Sequence, residues 1–151
     1  MPEPRIAPDQ PLLRVRGLRK VYPLRSGVPW RAGGEVVAVD GVDLDLLPGT
    51  TLGLVGASGS GKSTIGRCLL RLVEPTEGTI ELGGVDVRAL AGADLRRFRR
   101  HMQIIFQDPY SSLNPRLTVG ATLEEPLRVH RVGDRDSRRR RVHELLEIVG
   151  L

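Results

Sequence analysis

The apolar and polar positions of this chain repeat with two different periods. Leu13, Val15 and Leu18 stand against Arg14, Arg16 and Arg19. That predicts a strand with one wet face, beginning near Leu12 and running on through Val21 and Tyr22 to Pro23. Within a β-rich stretch over 36–47, Val42, Leu44 and Leu46 alternate with Asp43 and Asp45, the pattern of a half-buried antiparallel strand. Pro48 and Gly49 then make a turn. Residues 51–55 are nearly all apolar, as in a strand covered on both faces, and 102–106 read as a second buried strand. Residues 79–82 and 85–87 flank Gly83 and Gly84, which predicts a strand, a tight turn and a short strand. The helical period appears in Ile65, Cys68, Leu69 and Leu72, spaced i, i+3, i+4 and i+7, with Arg67 and Arg71 outside that face. Further helices are expected over 94–101, from an N-cap at Thr118 with Glu124 and Glu125 inside, and from Ser137 through Val142, Leu145, Leu146 and Val149. Residues 24–35, with Gly27, Pro29, Gly33, Gly34 and a lone Trp30, read as a long loop. Residues 1–11 read as a loose tail ahead of an α/β domain over 12–151.

The apolar run 51–55 leads straight into Gly56, Ala57, Ser58, Gly59, Ser60, Gly61, Lys62, Ser63 and Thr64, which fit G-x-x-x-x-G-K-[ST]. Each fixed position answers a demand of holding a triphosphate. Gly56, Gly59 and Gly61 lack a Cβ, so the backbone can take positive φ and approach phosphate oxygens closely. The N–H groups of about Ser60 to Thr64 are the unpaired donors of a helix's first turn, and the helix dipole adds to their pull on an anion. Lys62 supplies a mobile charge for the β- and γ-phosphates, and the Ser63 hydroxyl can complete a Mg²⁺ shell otherwise made of phosphate oxygens and water. A Gly/Ser-rich turn spelling the motif by accident is the competing reading. The predicted strand before it and helix after it argue for phosphate binding.

With 151 residues, 40% of them hydrophobic, the chain has the means for one domain with a core of ordinary size. A single cysteine excludes a disulfide framework and favours a reducing compartment; Cys68, on an apolar helix face, is expected to be a small buried hydrophobe. No stretch approaches the roughly 20 apolar residues of a membrane span, and residues 1–10 carry prolines and charges where a signal peptide would be apolar. A soluble protein is expected, one that can still sit on a membrane partner. The net charge of +5 raises nucleic acid as a partner, but the arginines cluster at 96–100 and 138–141 in helical segments. Solvated helix faces explain such runs, and with only 3% aromatic residues there is little for base stacking, so no nucleic acid is expected.

With these pieces in place, the chain resembles the ATP-binding subunits of ABC transporters along almost its whole length. Tyr22 lies where that family has an aromatic that stacks on adenine, although alone it could be an ordinary strand aromatic. Gln107, after the apolar run 102–106, matches the family's Q-loop glutamine, which joins Mg²⁺ and the attacking water to the face that meets the membrane subunits; alone it could simply end a strand. The run from Gln107 through Asp108, Pro109, Tyr110, Ser111, Ser112, Leu113, Asn114 and Pro115 to Arg116 is similar to the subclass that powers oligopeptide, dipeptide and nickel importers. The resemblance implies an ABC-type P-loop NTPase fold with an N-terminal antiparallel β-subdomain, and ATP and Mg²⁺ as ligands. It implies catalytic roles for Lys62 and Gln107, with Ser63 and Gln107 on the metal. Implied partners are permease subunits, a second ATP-binding subunit and, indirectly, an external solute-binding protein. The implied location is cytoplasmic, on the inner face of the membrane, with residues 110–115 touching the permease. A small kinase fits less well, because such enzymes usually open with their phosphate loop and here some fifty residues of strand-rich sequence precede it.

The family pattern continues with a Leu-Ser-Gly-Gly-Gln signature, an apolar strand ending in Asp-Glu and a switch histidine, and none of these occurs in the 151 residues. Val36 to Asp40 imitates the Asp-bearing strand but precedes the phosphate loop and is followed by Gly41. His101, His130 and His143 precede any possible signature and are expected at the surface. The expectation is therefore the N-terminal part of an ABC domain, cut before its signature. Hydrolysis needs a carboxylate to orient water, so the chain alone is expected to bind without turnover, and a truncated, non-catalytic nucleotide-binding fragment is the alternative. In the family, strands that come later in the chain flank the phosphate-loop strand, so 51–55 is expected to lack its neighbours and to expose apolar surface.

Overall fold

In the computed structural model, which describes residues 10–24, 33–107 and 113–151, the alternating segment near the start becomes strand β1 (Leu13–Pro23). It lies between β2 (Glu35–Leu46) and β3 (Glu77–Leu82), antiparallel to both, and β3 turns back into β4 (Val85–Asp86). The sheet order is β2-β1-β3-β4. Leu13 stands opposite Leu46 and Leu82, and Val15 opposite Leu44 and Ile80, so one face of three strands is apolar in register. Val15 and Leu18 are both fully buried although three residues apart. A strand can do that only by inserting an extra residue, and the register breaks between them, with Gly17 at φ +58 donating its N–H to the Asp43 carboxylate at 2.6 Å. The wet face is a charge ladder. Arg16 forks onto Asp45 at 2.9 and 2.7 Å, and Arg19 reaches Asp40 and Glu77. Arg16 holds the Asp45 carboxyl below its ordinary value, chiefly through this hydrogen bond. Such exposed pairs add little stability each but oppose a slip of register. Gly83 and Gly84, both at positive φ, make the two-residue turn expected between β3 and β4.

Helix α1 (Lys62–Leu69) lays Ile65 and Cys68 on the apolar sheet face, in one core with Val15, Leu18, Val39, Ile80, Leu82, Val87 and Phe98. Cys68 is the buried hydrophobe expected, and burial pushes its thiol above the ordinary value. The expected apolar face extended to Leu72, but the helix stops three residues earlier and Leu72 is exposed. The cause is Arg71 at φ +48: its N–H donates to the Cys68 carbonyl and the Leu72 N–H to that of Arg67, the paired bonds of a left-handed helix stop that usually carries glycine. The Arg71 guanidinium accounts for the exception. It donates to the carbonyls of Val87, Arg88 and Leu90 and pairs with Glu74, binding the end of α1 to the segment after β4. Helix α2 (Gly92–Phe98) begins two residues before the expected start and passes into a single 3₁₀ turn (Arg99–His101), with Phe98 fully buried. Arg99 departs from the expected solvated face, since it is half-buried and donates to the Arg71 carbonyl at 2.7 Å.

Neither apolar run read as a buried strand forms one. Residues 51–55 and 102–106 have no ladder partner among the described residues; Val55 is 98% exposed and Ile105 97%. Apolar character makes a segment suited to a central strand, but only neighbouring backbones make it one. Leu52, Leu54 and Leu69 instead line an open groove of about 290 Å³ with Leu13, Leu44 and Leu46.

These elements belong to one unit, Met1–Ile104; a second, Ile105–Leu151, contains helices α3 (Val119–Val129) and α4 (Arg135–Ile148). Thr118 caps α3 as expected, accepting from the Ala121 N–H at 3.2 Å, and Glu124 and Glu125 lie inside it. Helix α4 begins before Ser137, because Asp134 takes the cap and accepts the Ser137 N–H at 2.8 Å, which holds its carboxyl below the ordinary value. Val142 is buried, Leu145 and Leu146 are half-buried, and Val149 lies past the helix and is exposed. His101 and His143 are exposed, while His130 is half-buried. Trp30 and residues 108–112 lie outside the described residues.

One glycine carries a sharp test of this packing. Gly78 stands at φ +94, and a Cβ there would meet the backbone oxygens of Gly17 (2.5 Å) and Arg16 (2.7 Å). Gly78→Ala is expected to lower the unfolding free energy by about 2–3 kcal/mol, read as a shifted urea midpoint with unchanged slope.

Candidate functional site

The phosphate-loop residues sit at the N-terminus of α1. Gly59 has φ +82 and Gly61, which caps the helix, φ +91, so two of the glycines expected to need positive φ adopt it. Gly61 answers a second constraint as well. A Cβ on it would overlap the Ala38 carbonyl oxygen of β2, whereas a Cβ on Gly59 would meet nothing within 4 Å. The loop is thus seated directly on a sheet backbone. The first helical bond of α1 runs from the Ile65 N–H to the Gly61 carbonyl at 2.9 Å, and no side chain caps the helix. The N–H groups of Lys62, Ser63 and Thr64 precede that bond and face the loop with the helix dipole behind them. Lys62 reaches back across the loop, its Nζ donating to the carbonyls of Gly56 (2.8 Å) and Ala57 (2.7 Å) and to Ser60 Oγ (3.2 Å). The Ser60 N–H closes the turn on the Ala57 carbonyl. Converging N–H donors, an uncapped helix start and a cation on a flexible stem suit a polyphosphate. Ser63 is exposed, its hydroxyl one residue into the helix beside that donor row. Among the described residues no cluster of three His, Cys, Asp or Glu could hold a metal. The Ser63 hydroxyl fits as one protein ligand of a magnesium ion otherwise held by phosphate oxygens and water, since that cation keeps few protein contacts.

Tyr22, the penultimate residue of β1, is 37% exposed and pairs with Val36 of β2. Gly61 touches Ala38 of the same strand, so the tyrosine and the phosphate loop are set about 7 Å apart along β2, at the usual rise of about 3.4 Å per residue. Sequence spacing alone leaves that neighbourhood open. Gln107 falls in the second unit, exposed, at the end of a stretch without regular structure. Two supporting residues escaped the sequence reading. Ala38 contributes only a carbonyl, which has no sequence signal. Lys20 holds its Nζ 4.8 Å from the Tyr22 ring centroid, and its place two residues before Tyr22 on a strand was a legible sign that they share a face.

Comparison with known proteins gives the following. A family model described as "ABC transporter" matches residues 39–151. The glutathione import ATP-binding protein GsiA of Salmonella paratyphi A is 52% identical over 146 residues, 97% of this chain and 23% of the relative. The protein of the same name from Escherichia coli K12 is 51% identical over the same length. The chain therefore spans 23% of the length of these curated relatives. Among solved structures, the dimeric post-hydrolysis state of an ATP-binding cassette bound to ADP and Pi matches 92% of this chain and 57% of its own, with a TM-score of 0.72 and 28% identity.

The two glycines separate backbone strain from overlap. Both alanine substitutions meet the positive-φ penalty of about 1–2 kcal/mol, but only Gly61→Ala also meets backbone, so it is expected to lose about 1–3 kcal/mol more stability than Gly59→Ala. Equal losses in parallel urea denaturations would mean that the loop does not rest on Ala38.

Proposed function

The chain belongs to the ABC transporter family and folds as part of its nucleotide-binding domain, and on that footing we propose that it binds Mg-ATP as the phosphate-holding portion of an importer's ATP-binding subunit. The observation that carries this is the Gly61–Lys62 junction: a left-handed glycine seated on β2, three uncapped helical N–H groups and a lysine turned over the loop. In this reading the N–H groups of Lys62, Ser63 and Thr64 cradle the phosphates, and Lys62 exchanges its bonds to the loop carbonyls for β- and γ-phosphate oxygens. Tyr22 offers its ring to the adenine. Ser63 takes a place on the magnesium ion, which when bound neutralises developing charge on the phosphates. Gln107 positions the attacking water and signals to the permease, with residues 110–115 at the contact. The named relatives import glutathione, so the cargo class proposed is a small peptide or similar solute. The proposed partners are permease subunits, a second ATP-binding subunit and an external solute-binding protein, with the subunit peripheral on the cytoplasmic face of the membrane. No helix among the described residues is long and apolar enough to cross a membrane.

A second reading is favoured by one observation, the absence of ladder partners for 51–55 among the described residues. In it the 151 residues alone hold nucleotide without turning it over, because the water-orienting carboxylate and the facing signature must come from elsewhere. The intact mass of the protein in its native cell separates the readings: 16.6 kDa, the mass of the 151 residues, selects the second, and a larger product carrying the carboxylate and the signature selects the first.

Lys62→Ala is expected to weaken ATP binding by about tenfold to a hundredfold, the worth of one or two charge-assisted hydrogen bonds. Isothermal titration with Mg-ATP reads this directly. Undiminished affinity would remove the phosphate-binding assignment.

A further inference from the structure

Lys20 belongs to neither the phosphate loop nor the bulk of the core, and its ammonium is held in one place by two contacts. Its Nζ stands 4.8 Å from the centroid of the Tyr22 ring, inside the range of a cation–π interaction, and donates to the Glu74 carbonyl at 2.9 Å. Glu74 is fixed in turn. Its carboxylate pairs with Arg71 Nε at 2.9 Å, and the Arg71 guanidinium is spent on the carbonyls of Val87, Arg88 and Leu90. The same short strap is laced to β1 on both sides of Lys20, the Thr76 N–H donating to the Arg19 carbonyl at 2.8 Å and the Val21 N–H to Thr76 Oγ1 at 3.0 Å. The strap follows the end of α1, the helix whose other end carries the phosphate loop. Tyr22 thus gains a fixed pose from the helix that holds the phosphates. A residue one short of the strand's end with 37% of its surface exposed would otherwise keep its rotamer freedom.

We infer that Lys20 is a positioning residue for the nucleobase: its ammonium covers one face of the Tyr22 ring, fixes the ring against the strap at 74–76, and leaves the opposite face for the base of a purine nucleotide. This rests on the reading of Tyr22 as a base platform given above. Lys20 itself touches no nucleotide in this arrangement. Its effect on binding passes through the ring, so it requires a ligand that has a base.

The test compares Mg-ATP with inorganic tripolyphosphate, which carries the phosphates and no base, on the 151-residue chain by isothermal titration. Lys20→Met keeps the stem and removes the charge. It is expected to weaken ATP binding about two- to fivefold, the scale of an exposed cation–π contact, with tripolyphosphate binding unchanged. Lys20→Arg should restore it, and in a Tyr22→Ala background Lys20→Met should cost nothing more. If Tyr22→Ala weakens ATP binding and Lys20→Met does not, the positioning role is overturned and the base platform stands. If Tyr22→Ala leaves ATP affinity unchanged, the platform reading fails and the role of Lys20 with it. An equal loss for both ligands assigns Lys20 to general stability and overturns the inference. A measurement without ligand stands beside these: the proton resonances of the Tyr22 ring should move on Lys20→Met, and unmoved resonances overturn the contact.

Discussion

The phosphate loop depends on one close approach of backbone to backbone, that of Gly61 to the carbonyl of Ala38. A Cβ would fill the space, so only glycine allows the loop to settle on β2 and start α1 there. Three features follow from that seat. The helix begins with its first-turn N–H groups uncapped, its apolar side meets the sheet through Ile65 and Cys68, and the lysine after the glycine is thrown back across the loop. Loop geometry and core packing therefore come from the same junction.

The far end of α1 is held by a different device. Arg71 occupies a left-handed position where glycine would be easier, and its side chain offsets the backbone cost by gathering the carbonyls of the segment that follows β4. Through Glu74 the same arginine steadies the strap that accepts a hydrogen bond from Lys20, and Lys20 lies against Tyr22. Helix α1 is thus fastened at its start to β2 and at its end to the β1 and β4 side of the sheet. The two positions proposed for nucleotide contact in this unit, the loop and the tyrosine, are joined through α1, the hydrogen bonds of the strap at 74–76 and the cation–π contact of Lys20 with Tyr22.

Against this order, residues 51–55 and 102–106 show how much a strand owes to its neighbours. Both have the composition of central strands, and both are without a ladder among the described residues. The relatives are about four times longer than this chain, which covers 23% of their length. Exposed apolar runs of this kind are surfaces that other backbone normally covers.

Local requirements were legible in the amino acids themselves. The alternation of β1 and β2, the Gly83–Gly84 turn, the Thr118 cap and the phosphate-loop motif with the helix that follows it each depend on residues near one another in sequence, where period and conformational preference act directly. The family could be read the same way, because its motifs are local. Other features were decided only in the fold: the bulge that turns both Val15 and Leu18 inward, the stop of α1 at a left-handed Arg71 rather than after Leu72, and the cap passing to Asp134. Most of these set one segment against another, and the spacing of residues along a chain carries no measure of the distance between its segments. Residues 51–55 make the point most plainly: sequence made them suitable for the centre of a sheet, but a strand exists only where a second backbone lies close enough to accept its hydrogen bonds.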